Sequence, residues 1–165
     1  MNLLVTLAII VGYIIIYLAG RIFGTTGEPT SVMGWLFGND PKQLSYVYGW
    51  LLHQNIFWIA MAISVAPALF GKKYFSFTTL LGFSIALLLG ELCGHNPAGA
   101  AYGHSHYGWA IWGCIFGVSV IMGIILEKTT KGKLDLKSKK LWIWSAIFVV
   151  AIVATILFVR ITMPT

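Results

Sequence analysis

The chain has 165 residues, of which 58% are hydrophobic and only 10% are charged. A soluble domain carries about 25% charged residues, so the composition excludes an ordinary water-soluble domain. The net charge is +6. The basic residues are placed as in a membrane protein, near the ends of apolar segments, and we expect no nucleic-acid partner.

The apolar segments predict an all-α, polytopic integral membrane bundle that forms a single domain, residues 1–165. A helix that crosses the bilayer needs roughly 20 mainly apolar residues. Five segments qualify, at about residues 3–23, 41–70, 74–92, 107–126 and 141–159. The first lacks a basic n-region and a clear cleavage site, so we expect a retained helix and not a signal peptide.

The distribution of Lys and Arg predicts the orientation of these five helices. One side of the membrane would carry eight basic residues, Lys72, Lys73, Lys128, Lys131, Lys133, Lys137, Lys139 and Lys140, and the other side three, Arg21, Lys42 and Arg160. Because cytoplasmic loops are enriched in Lys and Arg, we expect a cytoplasmic N-terminus and an extracytoplasmic C-terminus. The chain would be a multi-pass protein of the plasma or inner membrane.

The most unusual segment is a Gly- and His-rich extracytoplasmic loop between the third and fourth helices, within residues 90–108. It holds five glycines and three of the four histidines, His95, His104 and His106. The fourth, His53, follows the start of the second helix by about 12 residues, which is roughly 18 Å along a helix axis. We therefore predict that all four histidines and Glu91 meet in one layer near the outer membrane boundary.

A helical stripe supports the inward orientation of His53. Apolar and polar residues recur at helical spacing on one face of the second span: Tyr46, Trp50, His53, Phe57, Ala60 and Ser64. An ionisable residue within a span usually faces the bundle interior or a wet cavity.

These residue types suggest metal or acid/base chemistry. His104 and His106 form a His-x-His pair which, with His53 as a third ligand, suits zinc, copper or iron. Glu91 lies four residues before His95, so it would act as a base or orient that imidazole, with His53 as a further catalytic candidate. Haem b held by His53 with His95 or His106 is a second cofactor option. Structural hydrogen bonds within the loop would explain the same residues without a cofactor.

Four more residues are candidates for substrate binding at this site: Arg21, Trp50, Asn96 and Tyr102. The lead hypothesis is a membrane-embedded enzyme or metal-dependent protein that acts on a lipid headgroup or another small substrate. Two alternatives remain open: a small transporter or substrate-binding component that uses the same site, and a non-catalytic subunit of a larger membrane complex. Homo-oligomerisation is compatible with each of them.

Cysteine and glycine residues give two further expectations about packing. Cys93 and Cys114 would form either one disulfide or two small buried side chains, and the latter is the favoured interpretation. In the fourth helix, small residues are expected to allow close helix approach at Gly108, Gly113, Gly117 and Gly123.

Overall fold

The computed structural model describes residues 2–19, 55–94, 107–130 and 139–162. In these ranges the chain is all-helical, as predicted. The helices are α1 (Asn2–Ala19), α2 (Ile56–Leu69), α3 (Lys73–Cys93), α4 (Gly108–Thr130) and α5 (Lys139–Thr162).

Three helices within the described ranges, α3, α4 and α5, are long and apolar enough to cross a membrane. The described parts of α1 and α2 are apolar but shorter. Large apolar side chains also cover the outer surface, including Leu4, Leu81, Ile121 and Phe158, all more than half exposed. Such a surface suits contact with lipid and not with water. The count of five spans and their orientation stay predictions.

The turn that connects α2 to α3 is tight because glycine occupies its left-handed position. Gly71 has φ +79°, a conformation that costs glycine little. The N–H of Gly71 donates to the carbonyl of Ala68 at 3.0 Å, and the N–H of Lys72 donates to that of Pro67 at 2.9 Å. This pair of bonds is the Schellman motif, and it reverses the chain so that α3 packs antiparallel to α2.

The contacts between helices define two opposite ends of the bundle. At one end, which we call the basic end, lie Asn2, Gly71, Lys72, Glu127 and Lys128. A Cβ placed on Gly71 would lie 3.3 Å from Asn2 Nδ2, and Glu127 of α4 reaches the first residues of α3. The helix α1 therefore begins at the same end of the bundle as Lys72.

At the other end, which we call the Glu91 end, lie Glu91, Gly94, Tyr107 and Gly108. The 21 residues of α3 separate the two ends by roughly 30 Å at 1.5 Å per residue. This length matches the hydrocarbon thickness of a bilayer, about 30 Å. Helix α3 is therefore long enough to span a bilayer between the two ends.

Helices α3 and α4 form the most extensive pair in the bundle, and glycines bring them together. A Cβ on Gly82 would fall within 3.0 Å of the Ser119 side chain, and a Cβ on Gly123 would lie 3.0 Å from Phe75 Cδ2. Gly108 meets Gly94 in the same way. The prediction was wrong for Gly113 and Gly117, because no described atom lies within 4 Å of a Cβ built on either.

The core is an aromatic cluster that crosses four helices. Phe83 of α3 packs edge-on to Phe57 of α2 and to Trp112 and Phe116 of α4, and Tyr13 of α1 lies 5.2 Å from Phe83 between ring centroids. The Tyr13 hydroxyl also forms a 2.7 Å hydrogen bond with Ser64 Oγ. A polar side chain of α1 is thereby bonded to α2 inside the apolar core.

Candidate functional site

Glu91 is a buried carboxylate in the last turn of α3. The residue is only 4% exposed, and a Glu buried to this extent is normally paired. It lies 18 residues after the start of α3, at the opposite end of that helix from Lys72. An acidic group kept at this depth points to a function by default.

The backbone closes the bundle directly beside Glu91. Helix α3 ends at Cys93, and the N–H of Tyr107 donates to the carbonyl of Gly94 at 2.7 Å. A Cβ on Gly94 would lie within 3.0 Å of the Gly108 backbone, so only glycine permits this approach. The two described residues that flank the segment 95–106, Gly94 and Tyr107, are therefore in direct contact.

The predicted inward face of the second span is present over its described half. Phe57 and Ala60 are 1% exposed and Ser64 is fully buried, at spacings of three and four residues. His53 precedes Phe57 by four residues in the sequence. The described half of the stripe therefore faces the interior, in agreement with the periodicity.

Trp112 is a residue whose role the sequence did not reveal. A tryptophan in an apolar span is often an interfacial anchor, but Trp112 is 7% exposed and stacks on Phe116 with a 10° interplanar angle. Helices α3 and α4 run antiparallel, with Gly94 opposite Gly108 and Gly82 opposite Ser119. Trp112 therefore lies at nearly the same height in the bundle as Glu91. Its buried indole N–H makes no hydrogen bond to any described residue.

Most of the predicted site residues lie outside the described ranges. Of the proposed catalytic, metal-binding and substrate-binding residues, the structure places Glu91. The others lie in segments that it does not describe: Arg21, Trp50, His53, His95, Asn96, Tyr102, His104 and His106. The meeting of the four histidines and the Glu91–His95 pair therefore stay predictions.

Metal-binding capacity within the described ranges is correspondingly limited. There, no three His, Cys, Asp or Glu side chains come together. Cys93 and Cys114 are not joined by a disulfide, and the expectation of two buried side chains was wrong for Cys114, which is exposed because it lies on the outer face of α4. A metal centre would thus need the histidines of residues 53 and 95–106 in addition to Glu91.

A bundle with helices of spanning length and an apolar outer surface is typical of helical membrane proteins. No family model, curated protein or solved structure matches the chain. The argument for function therefore depends on the residues themselves.

Proposed function

We propose that this chain is a metal-dependent membrane enzyme with its site at the Glu91 end, acting on a lipid headgroup or another small substrate. The observation that carries the proposal is the burial of the Glu91 carboxylate beside the Gly94–Tyr107 closure. His95 directly follows Gly94 in the sequence, and His106 directly precedes Tyr107. Two histidines are thus adjacent in sequence to the two residues that form the closure beside Glu91.

The proposed metal ligands are His104, His106 and His53. Glu91 would orient His95 or act as a base, in the way that a carboxylate beside a histidine fixes its tautomer and raises its basicity. A bound divalent transition metal would supply Lewis acidity and activate water. The Trp112 indole N–H adds a buried donor at this level.

The substrate would approach from the extracytoplasmic side. Lys72 and Lys128 lie at the opposite end of the bundle, and the basic end of a membrane protein usually faces the cytoplasm. Arg21, Trp50, Asn96 and Tyr102 are the proposed substrate contacts. Among them, Arg21 is suited to a phosphate group because guanidinium binds phosphate through two parallel hydrogen bonds.

The interior polar groups give less support to the transporter alternative. Ser64, Thr79 and Ser119 are buried, and each donates to a carbonyl three or four residues earlier in its own helix. These hydroxyls are engaged by backbone carbonyls of their own helices, and that of Ser64 also by Tyr13 of α1, so none of the three marks a path through the bundle. The metal-dependent enzyme is therefore the function that we carry forward.

The first test measures metal content. The full chain, purified in dodecyl maltoside and reloaded with Zn²⁺ or Co²⁺, is expected to retain about one ion per chain, as a single three-histidine site would. His104→Ala with His106→Ala should abolish retention. Glu91→Gln should weaken it by about 10- to 100-fold, the usual effect of losing a carboxylate that orients a ligand.

Glu127→Gln is the matched control, because it makes the same change in α4 at the basic end. It should leave the metal content unchanged. Retention of metal by the double histidine variant would refute the proposed ligands, and a Soret band in place of a retained ion would favour haem b. If the wild-type protein retains metal but alters no lipid in proteoliposomes, the headgroup substrate is refuted and metal binding stands.

A further inference from the structure

A cavity opens at the basic end, where α2, α3 and α4 meet. Its volume is about 240 Å³, and it is lined by Pro67, Lys72, Phe75, Ile124, Glu127 and Lys128. The lining residues are of two chemical kinds, apolar and charged. Pro67, Phe75 and Ile124 provide an apolar wall, whereas the two lysines provide exposed ammonium groups.

The one carboxylate among these lining residues is already engaged by the backbone. Glu127 Oε2 accepts hydrogen bonds from the N–H groups of Tyr74 at 3.0 Å and Phe75 at 3.2 Å. These donors belong to the first turn of α3, where N–H groups have no partner within the helix. Glu127 thus caps α3 from a neighbouring helix.

The net charge of the described residues that line the cavity is positive. Lys72 and Lys128 contribute two positive charges against the single negative charge of Glu127, and the N-terminal end of α3 adds a partial positive charge. An anion that enters the cavity therefore meets two ammonium groups beside an apolar wall.

We infer that this cavity binds an anionic phospholipid of the leaflet at the basic end. The phosphate would lie between Lys72 and Lys128, and the start of an acyl chain would pack on Pro67, Phe75 and Ile124. Basic pockets between membrane helices bind anionic headgroups in this manner. The inference depends on membrane insertion but not on the metal site, which lies at the other end.

The apolar wall favours a lipid over a free phosphate ion. A soluble anion would be bound by the two lysines alone and would make no favourable contact with the apolar side chains. The acyl chain of a phospholipid can instead pack on these side chains through van der Waals contacts. It also reaches the cavity laterally, because Ile124 is exposed on the outer surface.

The test compares two lipids with identical acyl chains. The full chain in dodecyl maltoside is titrated with dioleoyl-phosphatidylglycerol or dioleoyl-phosphatidylcholine, and bound lipid is counted by native mass spectrometry. Phosphatidylglycerol should bind more tightly. In the Lys72→Gln, Lys128→Gln double variant its affinity should fall by about thirtyfold, since each lysine near an anionic lipid contributes about 1 kcal/mol.

The matched control is the Lys73→Gln, Lys139→Gln double variant. It removes the same charge from two lysines that do not line the cavity, and it should bind phosphatidylglycerol like the wild type. Equal losses of phosphatidylglycerol affinity in the two double variants would show that the lipid is attracted by positive charge in general. That result would overturn the proposed site. Equal binding of the two lipids would also overturn it.

Discussion

Replacing Gly82 with alanine is expected to destabilise the α3–α4 pair. A Cβ at this position would fall within 3.0 Å of Ser119 Oγ and Cβ, a separation that real Cβ atoms essentially never show. Ser119 Oγ is fixed in place by a 2.8 Å hydrogen bond to the carbonyl of Ile115. Because Ser119 Cβ is attached to the backbone, a rotamer change cannot remove the overlap.

The size of the effect follows from two opposing contributions. Carbon atoms in contact are separated by about 3.5–4.0 Å, so relieving the overlap with Ser119 Cβ requires the helices to move apart by more than about 1 Å. Overpacking of this kind lowers the free energy of unfolding by about 1–3 kcal/mol. Because Ser119, the neighbour of Gly82, is held rigidly, we expect a loss at the upper end of this range. Alanine regains up to about 1 kcal/mol of helix propensity. The net loss in the free energy of unfolding is therefore about 2 kcal/mol.

A second substitution at Ser119 tests whether steric overlap, and not another cause, lowers the free energy of unfolding in Gly82→Ala. Gly82→Ala combined with Ser119→Gly should recover most of the loss, because the new Cβ then meets only the Cα of residue 119, at 3.6 Å. Gly82→Ala combined with Ser119→Ala should not recover it, since the Cβ of residue 119 remains. Unfolding in mixed detergent and SDS micelles, followed by tryptophan fluorescence, measures each free energy.

Gly117→Ala serves as the control for helix propensity. No described atom lies within 4 Å of a Cβ at Gly117, so this variant should be neutral or more stable by up to about 1 kcal/mol. Wild-type stability in Gly82→Ala, or equal losses at both glycines, would refute the close approach of α3 and α4.

Two hydrogen-bond predictions complete the set, and the same unfolding assay measures both. Tyr13→Phe removes the hydroxyl that bonds Ser64 Oγ at 2.7 Å and the carbonyl of Ala60 at 3.2 Å, and should cost about 1 kcal/mol. Since Ser64 keeps its own bond to Ala60, a loss of several kcal/mol would contradict this account. Glu127→Gln keeps an acceptor for the N–H groups of Tyr74 and Phe75 but removes its charge. It should cost about 0.5–1 kcal/mol, and a loss that salt does not reduce would argue against an electrostatic cap.

The helical class was predictable from the sequence because the bilayer imposes simple requirements. Every backbone polar group in hydrocarbon must be bonded internally, so long apolar segments become helices. The Gly71 turn was equally predictable, since glycine followed by two lysines ends an apolar helix. The inward face of Phe57, Ala60 and Ser64 followed from their spacing.

The partners of individual side chains could not be predicted in this way. Gly113 and Gly117 have the small-residue spacing of a tight helix contact, yet the close approaches fall at Gly82, Gly94 and Gly123. Spacing within one helix identifies a face that permits contact, but the neighbouring helix decides whether contact occurs. The Glu127 cap on α3 was missed for the same reason, because its partners lie 52 and 53 residues away in the chain.

The sequence by itself determined that this chain is apolar, helical and able to span a membrane, and it identified Glu91 and the histidines as candidates for chemistry. These properties depend on residue type and local spacing. Only the tertiary structure decided that Glu91 is buried beside the Gly94–Tyr107 closure, and that a lysine-lined cavity lies at the opposite end. Both features are made by residues from different helices, so they exist only once the helices have packed.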